Sequence, residues 1–240
     1  MLTSITQSSA VPFIRNIDIG YVNRYPSVRY CKVIFDSHQY QDALFDAFSI
    51  PFSTTLNSAV LKRKAEYLAG RFAAKLLLKS PKCYGRVGTT VDGCPTWPSG
   101  WCGSLSHTNR DAIALVTSTE TQISLGVDIE ELNPAIMRDT ANYFTSPEEQ
   151  ELLSTSCVHY EIALSIVFSA KESLYKALYP KVGHFFGFDT AIISNLDLLN
   201  NSITLQLTQP LAENLPKGAQ FDGYFKILDG KIISWLVWHH

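Results

Sequence analysis

No stretch of this chain approaches the roughly 20 consecutive apolar residues of a membrane-spanning helix, so no transmembrane segment is expected. Basic excess is missing as well: 20 Lys and Arg stand against 22 Asp and Glu, a formal charge of -2. A nucleic-acid partner is therefore not expected, and any basic binding surface must be local. The five cysteines (Cys31, Cys83, Cys94, Cys102, Cys157) are odd in number and lack C-x-x-C spacing. That argues against a disulfide framework or a zinc site and fits a reducing cytoplasm. The first ten residues are polar and uncharged. They have neither the basic start nor the apolar stretch of a secretory signal. A cytoplasmic protein is expected, with peripheral membrane association left open. Internal repeats and linker-like composition are absent too.

What is there suits a folded protein. With 240 residues, 46% hydrophobic and 18% charged, the chain makes one large domain or two small ones with a real core. Scattered aromatics (Phe13, Tyr21, Tyr25) lead to a strand-like 30–35, and 41–48 reads as a short helix stopped before Pro51. A helical pattern over 55–79 runs through Leu61, Leu68, Phe72 and Leu76, with Pro81 just beyond. Gly70 inside it costs about 1 kcal/mol relative to alanine, which predicts a close approach to the backbone there. Arg63 and Arg71 lie about 80° apart on the wheel, and Arg71 and Lys75 about 40°. One flank can thus present three cations, either as a solvated face or as an anion site.

The stretch 93–107, G-C-P-T-W-P-S-G-W-C-G-S-L-S-H, reads as an irregular loop before a strand at 112–116. Its two tryptophans could cover a ligand or plug the core. Ser106 and His107 place a hydroxyl beside an imidazole, with no partnered carboxylate to support a catalytic triad. A short strand at 123–129 carries Asp128, with Glu130 next on the same side, about 7 Å apart along the backbone. Two carboxylates on one face repel unless a cation lies between them, and oxygen-only ligands select a hard ion such as Mg²⁺. Ser146, Pro147 and Glu149 spell a capping box at a helix start. The run from Tyr160 to Pro180 is helical, with Ile162, Ile166, Ala170, Leu174 and Leu178 as a buried stripe. Glu172 and Lys176 are i and i+4 on a neighbouring stripe. Strands follow at 190–193, 203–208, 223–228 and 231–238, the last two joined by the hairpin signal Asp229-Gly230. The plan is α+β in two similar halves, 1–120 and 121–240.

Three stretches together resemble the 4'-phosphopantetheinyl transferases of the large bacterial type, which includes enterobactin and surfactin branches. They are R-K-A-E-Y-L-A-G-R at 63–71, the Trp-Pro loop through G-S-L-S-H at 103–107, and G-V-D-I-E at 126–130 with F-S-A-K-E-S-L-Y-K at 168–176. The last pair is the most specific, and the matching stretches run from about 60 to 178. Where the surfactin-type branch has a lysine between glycine and proline, this chain has Cys94 between Gly93 and Pro95, which leaves a phosphate contact from that position open.

The resemblance implies two halves, each a long helix on a small antiparallel sheet, paired as a pseudo-dimer with the active site between them and coenzyme A bound there. It implies a monomer. It also implies transfer of 4'-phosphopantetheine from coenzyme A to a serine of an apo carrier protein, releasing adenosine 3',5'-bisphosphate. Asp128, Glu130 and Glu172 would be Mg²⁺ ligands. Lys176 would hold the pyrophosphate, with Lys171 a second candidate. Arg63, Arg71, Ser106 and His107 would bind the nucleotide end of coenzyme A. Glu172, or a water on the metal, would take the proton of the acceptor serine, so Asp128, Glu172 and Lys176 are the catalytic candidates. The enterobactin-like features point to siderophore or other nonribosomal peptide synthesis, with aryl, peptidyl or acyl carrier proteins as partners. A Mg²⁺-dependent phosphohydrolase or nucleotidyltransferase is the alternative enzyme. A non-catalytic module binding coenzyme A or carrier proteins is the alternative outside catalysis.

Overall fold

The computed structural model describes residues 1–10, 12–78, 85–90 and 93–239; Lys79, Pro81 and Cys83 lie outside them. The chain opens with β1 (Leu2–Ala10), β2 (Ile14–Val22), β3 (Tyr25–Phe35), α1 (Leu44–Ala47) and α2 (Leu61–Leu77). Next come β4 (Gly88–Thr89), β5 (Pro95–Thr96), β6 (Trp101–His107), β7 (Asp111–Ser118) and β8 (Ile123–Glu131). The remainder comprises α3 (Pro134–Phe144), α4 (Pro147–Ser154), α5 (Tyr160–Val182), β9 (Ala191–Asp197), β10 (Ser202–Leu207), β11 (Gln220–Leu228) and β12 (Lys231–His239). The chain divides into two compact units, Met1–Ile123 and Ser124–His240.

In the first unit a sheet of order β1-β2-β3-β7-β6 carries α2, which packs on β3, β7 and β6. Leu68, Phe72 and Leu77 of the helix meet Val33, Phe35, Ala114 and Val116 in one apolar core. Two strands form where the sequence reading expects only scattered aromatics. β1 is an edge strand rich in Ser and Thr, without hydrophobic alternation to announce it, and its register on β2 shifts twice. The helix expected from residue 55 starts at Leu61, because Ser53 caps a separate 3-10 turn over Thr54–Leu56.

The expected loop before residue 107 is also corrected. Trp101–His107 is a full strand, antiparallel to β7 from Trp101↔Ser118 to His107↔Ala112. Its glycine is there for proximity. A Cβ on Gly103 would lie 2.3 Å from the Leu115 carbonyl oxygen and 2.6 Å from the Trp97 ring. Trp97 and Trp101 pack against the core, so both tryptophans are plugs.

In the second unit a sheet of order β8-β12-β11-β10-β9 carries α5 on β12 and β11. Asp229 (φ 51°) and Gly230 (φ 72°) supply the left-handed pair that the β11–β12 turn needs. Pro180 does not close α5. The helix continues to Val182 and stops at Gly183, whose φ of 72° suits only the end of a helix. α3 is an element the sequence reading leaves out, although Asn133 as N-cap and Pro134 behind it mark its start. Each unit is thus one long helix on a five-stranded sheet, and the fold is α+β.

Candidate active site

The seam between β8 and α5 begins with a glycine. A Cβ at Gly126 would lie 1.7 Å from the Ser173 carbonyl oxygen, so only glycine lets the helix backbone settle on the strand here. On the helix, Ser169 and Ser173 share the Ser234 hydroxyl of β12 at 2.8 and 2.7 Å. All three serines are buried, and their mutual bonds remove the cost of burying hydroxyls. Small residues thus bring α5 close to the sheet, and Glu172 and Lys176 come with it.

Gly126, Asp128 and Glu130 share one side of β8 by strand alternation. Asp128 is 2% exposed, and Lys176 Nζ donates to its Oδ1 at 2.6 Å. Lys176 thus reaches across to the strand and bonds the Asp128 carboxylate. Burial, then the negative charge of Asp128, pushes the Glu130 carboxyl up to about 7; Lys176 opposes this and Glu172 adds to it. Burial likewise raises Glu172, against Lys176 and with Asp128. The structure therefore gathers Asp128, Glu130, Glu172 and Lys176 within electrostatic reach of one another. As they stand, no three His, Cys, Asp or Glu side chains among the described residues are close enough to enclose a metal ion. The donor set is nonetheless all oxygen, and its mutual repulsion is what a hard cation relieves. A largely apolar hollow lies beside Glu172, lined by Leu174, Tyr175, Phe185, Phe186 and Phe188.

Lys171, the second lysine candidate, belongs elsewhere. It is 4% exposed, and its Nζ donates to the Phe144 carbonyl at 2.8 Å and pairs with Glu149 Oε1 at 2.9 Å. Glu149 Oε2 closes the capping box by accepting from Ser146 N–H at 2.8 Å, and Oε1 accepts from Ile193 N–H at 2.8 Å. The sequence reading assigns Glu149 only to the cap. In the structure it ties α4, α5 and β9 together.

In the first unit, Arg63 at the start of α2 donates from Nη1 to His107 Nε2 at 2.6 Å. Glu66, one turn along, lies 3.5 Å from His107 Nδ1 and 3.9 Å from Arg63 Nη1. The other expected cations of this flank are occupied structurally. Arg71 is buried with its guanidinium over the Tyr67 ring, and its Nη2 donates to Gly88 O at 2.9 Å and Thr89 Oγ1 at 2.8 Å. Lys75 donates to the Phe48 carbonyl. Ser106 is buried and, one residue before His107, projects from the opposite face of β6. The structure therefore brings Arg63 and His107 into contact; Arg71 lies within electrostatic reach of Arg63, and Ser106 projects from the other face of β6. Gly70, where a close approach is expected, has nothing within 4 Å of the place a Cβ would occupy.

Two family descriptions match this chain: the 4'-phosphopantetheinyl transferase N-terminal domain over residues 52–117 and the 4'-phosphopantetheinyl transferase superfamily over residues 124–221. Enterobactin synthase component D of Salmonella typhi is 34% identical over 174 residues, covering 72% of this chain and 71% of that protein. The chain belongs to the 4'-phosphopantetheinyl transferase superfamily. Its other relatives include enterobactin synthase component D of Escherichia coli K12, 36% identical over 55% of this chain and 63% of that one. The 4'-phosphopantetheinyl transferase Npt of Nocardia iowensis is 29% identical over 73% and 82%. This phosphopantetheinyl transferase is thus an enzyme of a family that uses coenzyme A as substrate and acts on carrier-protein domains. Among its described residues no helix is long and apolar enough to cross a membrane.

Three residues that build the site's surroundings, Gly126, Ser234 and Glu66, have no role assigned from the sequence alone. The glycine opens the G-V-D-I-E motif, so its signal was in plain view. Ser234, within the run K-I-I-S-W-L-V-W, is a lone polar residue in an apolar strand, which is itself a sign of a buried partner.

Proposed function

We propose that this chain transfers the phosphopantetheine arm of coenzyme A through the residues on β8 and α5, with Asp128, Glu130 and Glu172 holding Mg²⁺. The observation that carries this reading is the convergence of three mutually repelling carboxylates on the Lys176 ammonium, 2.6 Å from Asp128. A bound Mg²⁺ would supply charge neutralisation for the pyrophosphate of coenzyme A. Lys176, whose ammonium holds Asp128 here, would with the metal in place turn to a non-bridging oxygen of the pyrophosphate. Glu172, placed between the metal site and the apolar hollow, takes the proton of the acceptor serine. The apolar hollow beside Glu172 suits the uncharged pantetheine arm.

Arg63 and His107 receive the 3'-phosphate end, for which a guanidinium is suited by shape and charge. Arg71 contributes from behind by fixing β4 beside α2, and Ser106 from the buried face of β6. The acceptors are aryl, peptidyl or acyl carrier proteins of siderophore or other nonribosomal peptide synthesis, which the names of the enterobactin synthase relatives support. The protein acts as a monomer in the cytoplasm. Incubation with coenzyme A, Mg²⁺ and a panel of apo carriers tests this. Mass spectrometry should show one phosphopantetheine group added, fastest on the aryl and peptidyl carriers of siderophore synthesis. Hydrolysis of coenzyme A with no carrier modified would contradict it.

A further inference from the structure

Glu66 is 8% exposed and sits on α2 between two partners that the proposed function uses. The hydrogen bond from Arg63 Nη1 to His107 Nε2 requires a lone pair on Nε2, because a guanidinium only donates. The ring proton of a neutral His107 must therefore be on Nδ1, the nitrogen that faces Glu66 Oε2 at 3.5 Å. Which nitrogen of a histidine is protonated is set by the partner of the other. Here a carboxylate waits on one side and a guanidinium on the other. Burial raises Glu66, while Lys62 and Arg63 act to keep it ionised.

We propose that Glu66 is a positioning residue: it holds His107 in the Nδ1–H form, and His107 Nε2 in turn aims the Arg63 guanidinium. The consequence follows from the stem of Arg63. Its side chain is 46% exposed, and a long exposed arginine loses considerable freedom when it grips an anion. A fixed acceptor at one Nη leaves the other N–H groups pointing outward before any anion arrives, so less freedom remains to be lost. The relay Glu66–His107–Arg63 lies wholly within the first unit, and its role in coenzyme A recognition rests on the 3'-phosphate reading above.

Two near-isosteric variants separate the roles: Glu66→Gln keeps an acceptor for Nδ1–H, and Glu66→Met removes it. Nitrogen-15 NMR of histidine-labelled protein at alkaline pH, with His107 assigned through His107→Gln, reads the tautomer directly. Wild type and Glu66→Gln should show Nδ1–H at His107, and Glu66→Met, in which Arg63 alone still favours that form, should show a larger share of Nε2–H. The ratio of kcat/KM for coenzyme A to that for 3'-dephospho-coenzyme A should fall roughly 10-fold in Glu66→Met, the scale of losing one hydrogen bond to a charged group, and much less in Glu66→Gln. An Nε2–H tautomer in the wild type, or an unchanged ratio in Glu66→Met, would overturn the inference. If the wild type itself makes no distinction between the two donors, the 3'-phosphate reading fails instead. The tautomer comparison still decides whether Glu66 positions His107.

Discussion

At the scale of single residues, Lys171 and Lys176 show how the same side chain takes two roles five positions apart. Lys171 is sealed against Glu149 and the Phe144 carbonyl, while Lys176, its side chain 25% exposed, reaches Asp128. Losing Lys171 leaves Glu149 as a buried charge without its cation. Lys171→Met should therefore cost about 3–5 kcal/mol of stability, measured by denaturant unfolding. Lys176→Gln keeps a donor for Asp128 and should cost much less stability while lowering turnover by roughly 100-fold. A Lys171→Met protein of wild-type stability would refute the structural role. The sequence could not sort the two lysines. Their helical angles place Glu172 between them, and only the position of Glu149, more than 20 residues away, decides which is internal. Asp128 and Glu130 were legible, because strand alternation alone puts them on one side. Arg71 is illegible for the opposite reason: a wheel gives angles, and the partners that hold the buried Arg71 are Gly88 O, Thr89 Oγ1 and the Tyr67 ring.

At the scale of elements, two glycines in similar-looking contexts do opposite things. Gly126 lets α5 rest on β8, and its substitution forces backbone against backbone at Ser173. Gly70 is in mid-helix with nothing within 4 Å of where a Cβ would be. Gly126→Ala should destabilise the second unit by about 1–3 kcal/mol or more and depress transfer, since Glu172 and Lys176 flank the displaced turn. Gly70→Ala should instead stabilise by about 1 kcal/mol. Thermal unfolding of both variants checks the contrast, and a stabilised Gly126→Ala would remove the close approach from the explanation. The elements that sequence periodicity revealed were those with a strong apolar pattern, such as α5, β7 and the β11–β12 hairpin. β1 escaped because an edge strand has little to bury, and β6 because the prolines and glycines just before it read as a loop. α3 announced itself only through Asn133 and Pro134.

At the scale of the whole molecule, both family descriptions are needed to cover the proposed residues. The first spans Arg63, Glu66 and His107; the second spans Asp128, Glu130, Glu172 and Lys176. Each unit supplies its set from the same places, one long helix and a strand of the sheet beneath it. In the first unit these are α2 and β6, in the second α5 and β8. The chemistry divides accordingly, with a cation and an imidazole in one unit and carboxylates with a lysine in the other. The central claim is that the carboxylates of the second unit make the transfer depend on Mg²⁺. The direct measurement is the rate of phosphopantetheine addition to an apo carrier across a Mg²⁺ titration, for wild type and Asp128→Asn, with both shown to be folded by thermal unfolding. The wild-type rate should rise with Mg²⁺ to a plateau, and the variant should stay at least about 100-fold lower throughout. Mg²⁺-dependent transfer by Asp128→Asn at a near wild-type rate would contradict it.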